Sequence, residues 1–307
     1  MLQIVFEKIS IMFLILVLGI ICLKKGLFDD VMVKRLSTFL LQVVNPAVIF
    51  VSYQISYTRE LLVTLGYSFV LSLVAFIIQI VVTYLLVGKR SLNCAVERLS
   101  LIYSNCGFFG IPLAYGLFGR EGVFYLTGYL TVFYLFFWTH GVILMVGMTS
   151  VSQTANNLLS PAIVGLVLGL LCFLFKISLP SILVDALDSV GSMNTPVAML
   201  VGGATLGQSK LSECFSNLRI YLMSFHKLIV IPFAVTAAFA LTSLDPVMLL
   251  TIIIAVACPV AASCTMFALR YNKNSIYASQ LFIMTTLFAI ISIPLVVWFA
   301  NLLGIVA

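Results

Sequence analysis

Asn105, Gly107, Gly110 and Pro112 fall within eight residues of one apolar segment that runs from about Cys94 to Leu117. Proline has no amide hydrogen and clashes with the preceding turn, and glycine permits backbone geometry closed to other residues. The segment is therefore expected to break near mid-bilayer. In hydrocarbon, freed backbone groups are tolerated only inside protein or against a wet cavity, and broken helices of this kind form transporter substrate sites. A second break is expected at Cys258–Pro259. If each proline opens a second half-helix, two amino-terminal ends converge, each carrying roughly half an elementary positive charge. Together they make an anion site without a buried arginine. Ser104, Gly107, Gly110, Ala261, Ala262 and Ser263 are small enough for close backbone approach, and Asn105 adds a neutral amide. The plainer alternative for one such motif alone is a proline kink with packing glycines.

The composition says what positions these residues. The 307-residue chain is 63% hydrophobic and 8% charged, with a mean hydropathy of +1.22. A soluble domain is about 25% charged, so the expected class is an all-α polytopic membrane protein. A barrel would show short alternating segments, and these apolar runs are continuous. At roughly 20 residues per span the length suits ten spans, placed at about 4–23, 31–53, 61–87, 94–117, 122–148, 158–177, 180–206, 217–242, 247–269 and 275–304. The first has no small-residue cleavage site and reads as a retained span rather than a signal peptide. Pro161, Pro180 and Pro246 sit near helix starts, where a missing amide costs nothing. The seven cysteines are scattered without a C-x-x-C pair, so neither metal nor disulfide is expected. No cofactor is expected, and the net charge of +6 needs no nucleic acid to explain it.

With ten spans, eleven Lys and Arg residues fall on one side of the membrane and four on the other (Lys8, Arg59, Arg120 and Lys176). The richer side is cytoplasmic, which puts both termini outside. The polar stretch 149–157 divides the chain near its middle. Asn45-Pro46 in the second span is echoed by Asn194-Thr195-Pro196 in the seventh, and Ile111-Pro112 in the fourth by Cys258-Pro259 in the ninth. The two proline pairs are 150 and 147 positions apart. Two pairs at nearly one offset describe a five-span repeat, 1–150 and 151–307. An odd number of spans makes the second copy enter the membrane inverted.

Asn105-x-Gly107-x-x-Gly110-Ile111-Pro112, followed by Leu117-Phe118-Gly119, resembles the fourth-span signature of the auxin efflux carrier family, which includes bacterial organic-acid permeases and is related to plant PIN carriers. The Asn45-Pro46 span, Thr195-Pro196 to Gly203, and Pro259 with Arg270-Tyr271 are also similar to it. The resemblance implies crossing fourth and ninth helices near the substrate. It also implies a scaffold of spans 1, 2, 6 and 7 and a moving unit of spans 3–5 and 8–10. The expected activity is secondary transport of a small organic anion of the malate or malonate type, by elevator-like alternating access in the plasma membrane. A homodimer through scaffold helices and contact with membrane lipid are the expected partners. The candidate substrate contacts are Ser104, Asn105, Gly107, Gly110, Pro112, Cys258, Pro259, Ser263, Asn45 and Asn194. The ninth span departs from the pattern: it has no asparagine beside Pro259, so its polar groups must come from Ser263, Thr265 or backbone.

Asp188, Lys227 and His226 are candidates for proton coupling. Asp188 lies one turn deeper than Asp185 on the outer side. Lys227 and His226 lie about two turns into the eighth span, where an ionisable group is a functional hypothesis unless the lysine reaches back to the interface. His140, with an ordinary pKa of about 6.5, reads as a hydrogen-bonded structural histidine. Gln42 and Gln79 read as inter-helix polar contacts. No H-E-x-x-H, G-x-S-x-G or P-loop supports an enzyme. A sodium-coupled bile-acid-type symporter would need carboxylates near the crossing, and a non-transporting receptor gives no reason for two breaks at matching depth. Single cysteines replacing Lys89 or Lys210 should react with impermeant thiol reagents only from the cytoplasm, and one replacing Arg120 only from outside. Labelling of all three from one side would exclude the alternating topology.

Overall fold

The computed structural model describes residues 2–89, 91–147, 161–208, 215 and 217–305. The 149–157 stretch, Arg90, Lys210 and Cys214 lie outside the described residues. The described chain is helical, with one isolated antiparallel bridge, Ser104 to Val260. We number the helices α1 (Leu2–Lys24), α2 (Asp30–Ser52), α3 (Arg59–Leu86), α4 (Cys94–Ile102), α5 (Cys106–Val146), α6 (Pro161–Leu174), α7 (Ser181–Ser192), α8 (Asn194–Gly207), α9 (Leu218–Phe239), α10 (Pro246–Ala257), α11 (Ala262–Arg270) and α12 (Ser275–Leu302). Among the described residues six helices are long and apolar enough to cross a membrane: Phe6–Lys24 within α1, and α2, α3, α5, α9 and α12; α6 and α10 are shorter apolar helices. The all-α polytopic class therefore holds.

Three expected spans are assembled from pieces. The 41 residues of α5 would extend about 62 Å if straight, twice a hydrocarbon core of about 30 Å. The chain turns at Gly119, whose φ of 61° and ψ of −143° lie outside helical space. The region 106–118 thus completes the segment begun by α4, and 120–146 forms the next. The seventh expected span is α7 plus α8, and the ninth is α10 plus α11. Pro161 and Pro246 open helices and Pro180 caps one, as their missing amides predict.

Three prolines follow a local rule that Pro294, inside the continuous helix α12, does not share. Pro46, Pro112 and Pro232 are each preceded by a five-residue π turn, at Leu40–Val44, Cys106–Gly110 and His226–Val230. In each case the residue before proline bonds five residues back: Asn45 to Leu40, Ile111 to Cys106, Ile231 to His226. Proline has no hydrogen to give the carbonyl four back and collides with it. Slipping the ladder by one residue relieves the clash without ending the helix.

Contacts between chain ends sort into two groups. Leu179 N donates to Gln54 Oε1, and Arg120 pairs with Asp188. Separately, Asn274 Nδ2 donates to Asn93 Oδ1, Gln208 Nε2 to Asp30 Oδ1 and Arg219 to Glu97. Each contact joins connections that an alternating ten-span path places on one side. Between these layers α1 lies along α8, and α2 along α6. The first pair touches backbone to backbone. A Cβ on Gly19 would strike the Leu200 carbonyl, and one on Gly203 the Leu16 carbonyl. Small residues permit such approach where lipid gives no hydrophobic drive to helix association. Neighbouring Gly202 has no atom within 4 Å of its Cβ position. Gly203→Ala should therefore lower the thermal midpoint in detergent. Gly202→Ala should hold or raise it, by up to about 1 kcal/mol of helix propensity. Equal midpoints would refute the close contact.

Candidate functional site at the crossing of two broken helices

The two expected breaks meet. Helix α4 ends at Ile102, Tyr103–Asn105 run without helix, and α5 starts at Cys106. Helix α10 ends at Ala257, and α11 starts at Ala262 after the linker 258–261. The linkers lie antiparallel: Asn105 N donates to Pro259 O (2.7 Å) and Ala261 N to Tyr103 O (3.1 Å). Val260 N donates to Thr285 Oγ1 of α12 (3.0 Å). The backbone groups freed by one break are thus largely satisfied by the other, as hydrocarbon demands.

The prolines stand differently from expectation. Pro112 lies one turn inside the second half, past a π turn, rather than at its first position, because the slipped ladder absorbs it. Pro259 lies in the extended linker, where its carbonyl takes the Asn105 amide, and α11 begins three residues later.

Lys227 is fully buried, yet it does not reach back to the interface. Its Nζ donates to Ser104 Oγ (2.6 Å) and to Leu101 O (3.2 Å). Ser104 Oγ in turn donates to Val256 O (3.1 Å). Leu101 and Val256 belong to the last turns of α4 and α10, whose carbonyls lack intrahelical partners. One amine thus serves the carboxyl-terminal ends of both first halves, where a cation is favoured. Among the described residues the ion pairs are Arg120–Asp188 and Arg219–Glu97, so no carboxylate faces Lys227.

The amino-terminal side is lined by amides. Asn194 Nδ2 donates to Asn45 Oδ1 (2.6 Å), and both residues are buried. This joins the two positions that the repeat had matched. Asn194 Oδ1 has no partner. A Cβ on Gly107 would sit 3.8 Å from Asn45 Nδ2, which places the asparagine pair at the first turn of α5. A Cβ on Gly110 would sit 3.5 Å from Cys258 Sγ. Asn105 caps α5 by position, but its side chain makes no capping bond. Ser263 is half-buried in the first turn of α11, and Thr265 Oγ1 is buried without a partner.

The comparison with known proteins decides the family. A family described as membrane transport protein matches residues 4–156 and 144–297. The chain belongs to this membrane transport family, that of the auxin efflux carriers. No curated protein matches it.

Of the other candidates of this carrier, Asp188 lies away from the crossing, whereas His140 meets the linker residue Tyr103. Asp188 pairs with Arg120 at 2.9 Å, with both side chains about a third exposed. His226 follows a different face from Lys227, with its ring 6.3 Å from that of Phe225. His140 Nδ1 lies 3.0 Å from Tyr103 OH, which gives its proton to Phe136 O (2.8 Å). Nδ1 must then carry the hydrogen, leaving Nε2 to accept from Tyr84 OH at 3.4 Å. That is a structural role. Gln79 is buried and reaches Tyr129 at 3.4 Å. Gln42 is exposed and, among the described residues, makes no inter-helix hydrogen bond of the expected kind.

Sequence reading missed the Glu97 cluster. This buried carboxylate accepts two bonds from Arg219 (2.8 Å each), one from Ser91 (2.8 Å) and one from Tyr277 (3.0 Å), tying α4 to α9 and α12. Glu97-Arg98 inside an apolar segment was the available signal. The Lys227 geometry is tested by an isosteric pair. Lys227→Gln keeps a donor near Ser104, whereas Lys227→Glu aims negative charge at two carbonyl ends. The Glu variant should melt several degrees below the Gln variant, at about 2–4 °C per kcal/mol for a chain of this size. Equal midpoints near neutral pH would place the side chain elsewhere.

Proposed function

We propose that the protein is a secondary transporter of a small organic anion, of the malate or malonate type, working by elevator-like alternating access. The observation that carries this reading is the charge of the crossing. Lys227 sits there bonded to Ser104 and Leu101 and without a carboxylate, while the Asn45–Asn194 amide pair lies at the first turn of α5. A mobile anion would complete that balance. A sodium-coupled carrier would need carboxylates in the same place.

In this reading the ten expected spans form two inverted repeats, 1–150 and 151–307. Spans 1, 2, 6 and 7 are the scaffold; spans 3–5 and 8–10 move. The packing of α1 on α8 and α2 on α6 suits such a scaffold. Arg120–Asp188 and the 2.6 Å bond between Tyr53 and Thr127 join the moving unit to the scaffold at the outer end. The described conformation is then closed outside, and both contacts must part when the carrier opens there. Asp188 acts as a latch in this scheme. Lys227 supplies the fixed charge, in a plasma membrane protein with both termini outside.

Asn105 gives the test. Asn105→Asp keeps the shape of the side chain and adds a negative charge beside the expected carboxylate. Two unit charges ~4 Å apart repel by about 4 kcal/mol at an effective dielectric near 20, close to a thousandfold in affinity. Malonate binding to purified protein should be lost at neutral pH in Asn105→Asp, return in part on acidification, and fall far less in Asn105→Ser. Equal binding by both variants at neutral pH would mean that Asn105 does not face an anion.

A further inference from the structure

A cavity of about 240 Å³ lies away from the crossing, between the ends of α2 and α6 and the start of α7. Its walls include Gln54, Tyr57, Cys172, Lys176 and Ser178, and none of its lining residues is acidic. Two features give it a sign. Gln54 Oε1 is occupied, accepting from Leu179 N at 3.1 Å, while the buried Nε2 has no partner. The amide is therefore held with its donors unspent. Lys176 provides the second donor, with Nζ 4.7 Å above the Tyr57 ring.

The backbone of Lys176 carries the stronger argument. Helix α6 closes with Ile177 N bonded to Cys172 O and Lys176 N to Phe173 O, the two bonds of a Schellman ending. The residue between them must take left-handed geometry, and Lys176 has φ of 57°. Glycine does this freely, whereas a side chain there is strained. A lysine is held where glycine would be easier, in the wall of a cavity whose lining also includes an amide with a buried, unpaired donor.

We propose that this cavity is a second anion site, taking a carboxylate or phosphate group through Lys176 and Gln54. It lies on the side that the topology places outside. It is separate from the crossing and does not depend on the transported substrate being an anion. The occupant is either a soluble anion or a lipid headgroup, since Phe175 and Ile182 beside it are 71% and 79% exposed.

Cys172 in the cavity wall reports on it. In phosphatidylcholine nanodiscs, modification of Cys172 by an anionic and a cationic methanethiosulfonate is followed by peptide mass spectrometry. The ratio of anionic to cationic rates should fall up to about fivefold in Lys176→Gln, the worth of one exposed charge. Malonate or phosphate should slow modification of the parent and not of the variant. Protection in discs containing phosphatidylglycerol, without added anion, would assign the site to a headgroup; protection by soluble anions alone would assign it to them. A second reading needs no thiol: in an Asn105→Asp background, phosphate should raise the melting midpoint, and adding Lys176→Gln should abolish the rise. Unchanged rate ratios and protection in Lys176→Gln, or no phosphate-dependent rise in the Asn105→Asp background, would overturn the proposal.

Discussion

The crossing depends on one requirement: no backbone N–H or C=O can be left bare in hydrocarbon. Each unsatisfied group costs several kcal/mol there, and a single broken helix exposes several. The chain meets this by breaking twice at one place. Asn105 and Ala261 donate across to Pro259 and Tyr103, so the linkers form a minimal ladder, and Thr285 takes up the Val260 amide. Neither break is stable without the other. This ties residues about 155 positions apart into one unit and fixes the four half-helices around it.

Lys227 follows from the same requirement. Burying an ammonium without a counter-ion costs several kcal/mol even after relaxation. Here the carboxyl-terminal carbonyls of α4 and α10, one reached directly and one through Ser104, offset part of that cost. They are dipoles, not charges, so the centre keeps a net positive sign. The Glu97–Arg219 pair is different in kind: a neutralised, multiply bonded knot that holds α4 against α9 and α12.

Much of this was legible in the chain. Composition carries the membrane class, and the proline repeat points to the two breaks; the repeat matches Asn45 with Asn194 but does not announce that their side chains bond to each other. The first break is expected over Asn105–Pro112 with Pro112 opening the second half-helix; the chain opens at Tyr103–Asn105, the start of that stretch, and a π turn absorbs Pro112 one turn later. Lys227 was visible as an oddity, but its partner Ser104 lies 123 positions away, and no local pattern announces such a contact. The outer cavity was invisible because it rests on one amide's orientation and one lysine's φ angle.

The π turns bear on how this chain tolerates changes in length. Each inserts one residue into the helical register, and one residue corresponds to about 100° of rotation. In α9 the turn at His226–Val230 is what allows Lys227, before Pro232, and Val235 and Phe239, after it, both to face the interior. A single deletion inside that turn would restore a regular ladder and rotate one end of the helix against the other. Either the buried lysine or the apolar face would then turn toward lipid. Phase along α9, rather than its composition, is therefore what fixes where the central charge sits.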